Sequence, residues 1–160
     1  MGKKIFQAAL LPALAIAFFS AMLFISNVSG DLFFPAWFHE GCAEHFAGDL
    51  YLGKVGVSLP WRAFTGSLSS LAEFRKDFGH EADHAAEGYS LGHAMVERLL
   101  RLHGQDLAAK ILRRAAEGDS LDQALVALTG LSVVTHEKDL RAELASAHAL
   151  GERTLALQVD

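Results

Sequence analysis

Apolar residues recur at helical spacing along most of the chain after residue 34, and glycines interrupt this pattern at intervals. Glycine is common just past the last residue of a helix, because it adopts the left-handed backbone conformation without strain. The pattern predicts helices over about 35–47, 70–78, 81–102, 106–117, 120–129 and 132–150. The expected fold class of this part of the chain is therefore mainly α.

The segments between and after these helices have their own signals. Between about 48 and 66, glycines and a Pro-Trp pair predict a loop, with a short strand pair around Leu52–Leu59. Residues 151–160 are expected to form a loose tail. Four residues of the 81–102 helix share one face and predict an inward stripe, namely Tyr89, His93, Val96 and Leu100.

The first 30 residues differ from the rest because an uncharged apolar run follows two lysines. The run over residues 5–26 is 22 residues long. As a helix it would reach about 33 Å, enough to cross a hydrocarbon core of about 30 Å. Lys3 and Lys4 favour a cytoplasmic N-terminus, so residues 31–160 are expected outside the cytoplasm behind a single membrane span. The alternative is a signal peptide cleaved after Gly30, which would release the domain.

Charge and cysteine content narrow the function classes of the remaining domain, which spans 31–150 before the tail. Residues 31–160 contain all 19 acidic residues and 12 of the 14 basic ones, so their formal charge is −7. This balance argues against a nucleic-acid partner, because proteins bind phosphate backbones through basic surfaces. Cys42 is the only cysteine, so the exported domain is expected to fold without an internal disulfide.

The stretch HEADH, from His80 to His84, has the HExxH form of zinc peptidases. In that motif two histidines one turn apart bind zinc, and the glutamate, here Glu81, activates a water molecule. A third ligand is required, but His93 follows His84 by two and a half turns and so faces the opposite side of the helix. Asp83 would also place an unpaired charge between the ligands. The pattern therefore favours a solvated helix start.

The segment Pro35-Ala-Trp-Phe-His-Glu-Gly-Cys-Ala-Glu-His-Phe46 resembles the P-x-W-x-x-E-G-x-A-E segment of gluzincin peptidases of the peptidase-MA-like group. In those families this glutamate is the third zinc ligand. The resemblance assigns that role to Glu40, with Glu44 one turn later as a supporting carboxylate. Tyr89-Ser-Leu-Gly92 resembles the family element whose tyrosine stabilises the oxyanion. The resemblance covers about 33–147 and implies a helical gluzincin-like C-terminal domain.

The same residues have ordinary structural interpretations. Glu40 and Glu44 could form an acidic helix side near Trp37, and Tyr89 could be a core tyrosine with a bonded hydroxyl. The chain also departs from the family, which places HExxH upstream of the glutamate. Here that position falls in the apolar run over residues 5–26, which contains neither histidine nor glutamate.

These observations favour a membrane-anchored, exported peptidase-MA-like domain that is catalytically incomplete. Such a pseudo-peptidase would bind or scaffold a peptide or protein partner and need no cofactor. Two alternatives stay open. In the first, an active metallopeptidase binds zinc through His80, His84 and Glu40, with Glu81 as the base and Tyr89 holding the oxyanion. In the second, the chain is a non-functional fragment of a truncated peptidase.

Overall fold

The computed structural model describes residues 34–47, 58–75 and 81–156. These residues form six α-helices, and no strand occurs among them. The helices are α1 (Ala36–Ala47), α2 (Leu59–Thr65), α3 (Ala82–His103), α4 (Leu107–Ala116), α5 (Leu121–Thr129) and α6 (Val133–Ala156). The mainly α class is therefore confirmed for the described part of the chain.

Local capping explains why several predicted helix ends are correct. Ser120 and Gln123 form a capping box at the start of α5, in which each side chain accepts a hydrogen bond from the other residue's backbone N–H. Gly130 ends α5 with a left-handed φ of 80° and donates its N–H to the carbonyl of Val126. Helix α3 ends at His103, one residue beyond the predicted end, and Gly104 directly follows it.

The loop predicted over 48–66 is wrong in its last part, where α2 forms. The Ser58 side chain accepts a hydrogen bond from the backbone of the first turn. Pro60 occupies that turn, where an intrahelical N–H bond is not needed, and Gly66 ends the helix with a φ of 74°. The Pro-Trp pair therefore marks a capped helix start. Residues 52–57 of the suggested strand pair lie outside the described residues.

The helix predicted over 70–78 is replaced by turns over 71–75, and residues 76–78 lie outside the described residues. The backbone N–H of Ser70 donates to the Glu73 carboxylate at 2.7 Å, and the Ser70 hydroxyl donates to the same oxygen at 3.0 Å. The capping signal that suggested a helix therefore closes a turn instead.

The predictions for the two ends of the chain compare differently with the structure. Among the described residues, no helix is long and apolar enough to cross a membrane, and the apolar run over residues 5–26 lies outside them. At the other end, α6 continues to Ala156. The prediction of a loose tail is therefore wrong as far as Ala156, and residues 157–160 lie outside the described part.

The core gathers around α3, against which α1 packs, while α2 packs on α6 and α4 on α5. Of the predicted inward stripe, Val96 and Leu100 are buried, whereas Tyr89 and His93 are only half-buried. The most buried hydrophobic residues of α3 are Leu91, Met95, Val96 and Leu99. The inward face is therefore rotated from the predicted stripe, because α1 crosses α3 along its glycine-bearing side.

Candidate functional site

Helices α1 and α3 touch backbone to backbone at two glycines. A Cβ atom placed on Gly41 would lie 2.4 Å from the carbonyl oxygen of Gly92. A Cβ atom on Gly92 would lie 2.5 Å from the carbonyl oxygen of Trp37. No side-chain rotation relieves such contacts, because both partners are backbone atoms. The crossing therefore requires glycine at both positions, and it brings Glu40 next to the helix that bears Tyr89.

Glu40 and Glu44 lie one turn apart on α1. Glu44 is buried, with 9% of its surface exposed, and Glu40 is half-buried. Burial raises the pKa of Glu40 above its ordinary value, and the negative charge of Glu44 raises it further. Two carboxylates in this environment favour retention of a proton by one of them. The pair is thus suited to hold a proton or to accept hydrogen bonds from a basic group.

Helices α1 and α3 also carry tyrosine and histidine side chains. Tyr89 packs against the hydrophobic core, and the imidazoles of His45 on α1 and His93 on α3 lie 6.1 Å apart between ring centroids. Within residues 34–47, 58–75 and 81–156, no three histidine, cysteine, aspartate or glutamate side chains are arranged to hold a metal ion. His80 is not among these residues, so the zinc alternative stays a prediction.

The described part of HEADH lies at the start of α3. Glu81 directly precedes the helix and Asp83 lies in its first turn, and both are exposed. The half-buried imidazole of His84 packs on the ring of Phe74, with 4.6 Å between centroids. Exposed acidic residues at a helix N-terminus interact favourably with the helix dipole. The arrangement at Glu81 and Asp83 is that of a solvated helix start.

The HEADH residues lie before the point at which α1 crosses α3. Gly92, which touches α1, follows His84 by eight residues, or about 12 Å along the helix axis. Glu40 directly precedes Gly41, the residue of α1 that makes this contact. A shared zinc ion would therefore require the side chains of His84 and Glu40 to span this separation.

No protein-family model, curated protein or solved structure gives a significant match to this chain. The gluzincin resemblance accordingly rests on the residues quoted from the sequence. The roles that it implies for Glu40, Glu44 and Tyr89 stay predictions, and the helical fold rests on the structure itself.

A buried carboxylate on α3 was not singled out by the sequence pattern. Glu87 is 1% exposed. It accepts hydrogen bonds from the backbone N–H of Ser69 at 2.8 Å, the Ser69 hydroxyl at 3.2 Å and Nη1 of Arg62 at 2.9 Å. These bonds attach α2 and the segment after it to α3. No local signal identifies them, because the partners are 18 and 25 residues from Glu87.

A second buried polar group joins α3, α5 and α6. His136 is fully buried, its Nδ1 lies 3.3 Å from Nη1 of Arg98, and its Nε2 lies 2.9 Å from the hydroxyl of Thr129. A guanidinium group can only donate, so Nδ1 must be the unprotonated nitrogen and Nε2 carries the hydrogen. The folded state therefore selects a neutral His136.

Acidification is expected to destabilise the protein through His136. Burial lowers the pKa of His136 below its ordinary value of 6.5; the positive charges of His103 and Arg98 lower it further, and Asp139 opposes them. The unfolded chain therefore takes up the proton first. The stabilisation is complete above about pH 6.5 and is lost as the pH falls from there through the lowered folded pKa, with a slope of at most about 1.4 kcal/mol per pH unit.

Urea unfolding of the full chain between about pH 5 and 8 measures this slope. The variant His136→Gln can keep a hydrogen bond to Arg98 but does not titrate. We therefore expect the variant to take up fewer protons on unfolding, by up to one, and its stability to depend less on pH. Equal slopes for the variant and the natural chain would show that His136 does not titrate on unfolding.

Proposed function

We propose that this chain is a membrane-anchored, extracytoplasmic domain of peptidase-MA-like ancestry that binds a peptide or protein partner without hydrolysing it. Residues 5–26 anchor the chain, and residues 31–160 form the helical domain outside the cytoplasm. The gluzincin-like segment over residues 35–46 supports the ancestry. The position at which the family places HExxH relative to Glu40 falls in the apolar run over residues 5–26, which contains neither histidine nor glutamate, and this supports the loss of catalysis.

The observation that supports binding over catalysis is the separation of the acidic groups that a peptidase would combine. Glu81, the base in the zinc alternative, is exposed at the start of α3. Glu40 instead directly precedes Gly41 on α1, and the glycine crossing lies about two turns further along α3 than His84. A general base acts only within hydrogen-bond reach of the water that it deprotonates. This arrangement therefore favours a non-catalytic role for both groups.

The electrostatics of the carboxylate pair point the same way. A carboxylate binds zinc in its deprotonated form, so a proton retained at the pair competes with the metal. Burial and the charge of Glu44 both raise the pKa of Glu40. A buried pair of this kind can share a proton or receive a hydrogen-bond donor from a partner.

We expect the full chain, purified in detergent at neutral pH, to contain no stoichiometric zinc and to hydrolyse no peptide. The matched variant combines His80→Ala with His84→Phe, which removes both metal donors but keeps a ring against Phe74. Its stability should change by only about 0.5 kcal/mol, because no bound metal is lost. Elemental analysis, a peptidase assay and a melting curve on both proteins make the comparison.

The three interpretations give different results in this experiment. One zinc per chain, lost in the variant together with activity and much of the stability, would establish the metallopeptidase with His80, His84 and Glu40 as ligands. A metal-free chain that lacks a cooperative melting transition would indicate a non-functional fragment. A metal-free chain that melts cooperatively is the result expected for a binding domain.

A further inference from the structure

Two aromatic side chains of α2 are exposed together beside α6. Trp61 is 51% exposed and Phe64 is 55% exposed. Both rings contact the imidazole of His148 on α6, with centroid distances of 5.2 Å from Trp61 and 5.0 Å from Phe64. We call Trp61, Phe64 and His148 the aromatic face. Contiguous exposed apolar surface of this kind marks sites of interaction with proteins or membranes.

The aromatic face differs from the rest of the domain in charge. Its two segments read LPWRAFT over Leu59–Thr65 and LASAHALG over residues 144–151, and Arg62 is the only lysine, arginine, aspartate or glutamate in them. The Arg62 guanidinium donates to the buried carboxylate of Glu87. The domain as a whole has a formal charge of −7 over residues 31–160. Within these two segments no acidic side chain opposes contact with an apolar or headgroup layer, and Glu143 and Glu152 directly flank the second segment in the chain.

We propose that the aromatic face rests on the lipid bilayer that anchors the chain, with Trp61 and Phe64 at the level of the headgroups. Tryptophan is enriched at this level because its ring is apolar while its N–H still reaches water. The His148 imidazole, which contacts both rings, suits the same boundary. The inference rests on the proposed membrane anchor and adds to it the orientation of the domain.

The length of the linker supports this occupant. Seven residues, 27–33, separate the end of the apolar run from Phe34, the first described residue. Fully extended, they reach about 25 Å, which is shorter than α3 at about 33 Å. The domain is therefore held within about one domain diameter of the bilayer. At the resulting high effective concentration, even a weak aromatic contact with lipid becomes populated.

Tryptophan fluorescence of the full chain in lipid vesicles tests the proposal. The chain has two tryptophans, and Trp37 is 2% exposed, so the difference between the natural chain and Trp61→Phe isolates Trp61. In vesicles with lipids brominated near the headgroup end of the acyl chain, we expect the Trp61 emission to be quenched and shifted to the blue. Acrylamide, equilibrated across the membrane, should quench Trp61 much less than a free tryptophan amide. Vesicle flotation, measured in parallel, tests the anchor separately.

Each other outcome overturns the proposal in a different way. If the chain floats with the vesicles but acrylamide quenches Trp61 fully and bromolipids do not, the anchor stands and the orientation is wrong. If neither quencher reaches Trp61, a second copy or another segment of the chain covers the face. A chain that does not float with the vesicles removes the anchor and this inference together.

Discussion

Replacing Gly92 with alanine is expected to lower the free energy of unfolding by about 1–3 kcal/mol, although alanine is the better helix former. The added methyl group would lie 2.5 Å from the carbonyl oxygen of Trp37. Because the obstacle is backbone, α1 and α3 must move apart, and the core packing beside the crossing is lost with them. Urea unfolding of the full chain measures the loss.

Gly151 provides the matched control for this substitution. It also lies within a helix, α6, but a Cβ atom there meets nothing within 4 Å. Gly151→Ala should therefore stabilise the protein by up to about 1 kcal/mol through helix propensity. If Gly92→Ala raises stability as Gly151→Ala does, the close contact between α1 and α3 is not present in solution.

Replacing Glu87 with glutamine is expected to cost about 1.5–3 kcal/mol, the range for hydrogen bonds to a charged group. The glutamine has nearly the same shape, but its NH₂ group must face a donor on Ser69 or Arg62. Glu87 has no access to water that could replace the lost acceptor, since it is 1% exposed. The Arg62 side chain is 34% exposed and regains water, which limits the cost.

Glu97→Gln on the same helix is the control, because Glu97 is exposed. Its effect should stay within about 0.5 kcal/mol. We also expect Arg62→Gln to cost less than Glu87→Gln, because it leaves both Ser69 bonds in place. A Glu87→Gln variant no less stable than Glu97→Gln would mean that the buried carboxylate does not attach α2 to α3.

The successes and failures of the sequence-based predictions follow from the range of the interactions involved. Ser120, Gln123 and Gly130 act on neighbours within four residues, so the ends of α5 could be predicted. At Pro60 the same rules apply, but the glycine-rich composition before it favours a loop, and the Ser58 cap of α2 lies within that segment. At Ser70 the capping pattern predicts a helix, yet it closes a turn in the described structure. A local sequence signal thus predicts a hydrogen bond between neighbouring residues more reliably than it predicts the length of the helix that follows.

The candidate site shows the same division. The sequence singled out Glu40, Glu44 and Tyr89 through a family resemblance, and the structure adds that their two helices are in contact. The sequence could not indicate the burial that raises the pKa of Glu40, because this burial depends on how α1 packs in the fold. Nor could it place HEADH relative to these carboxylates, since their separation is set by which turn of α3 meets α1.

By itself, the sequence determined the helical class and most helix ends of the described domain, because helix periodicity, capping and left-handed glycine are encoded within a few neighbouring residues. Only the tertiary structure decided the glycine contact between positions 41 and 92, the partners of Glu87 and the neutral tautomer of His136. Each of these joins residues that are 18 to 51 positions apart. Such contacts exist only once the helices have packed, so no local pattern in the chain specifies them.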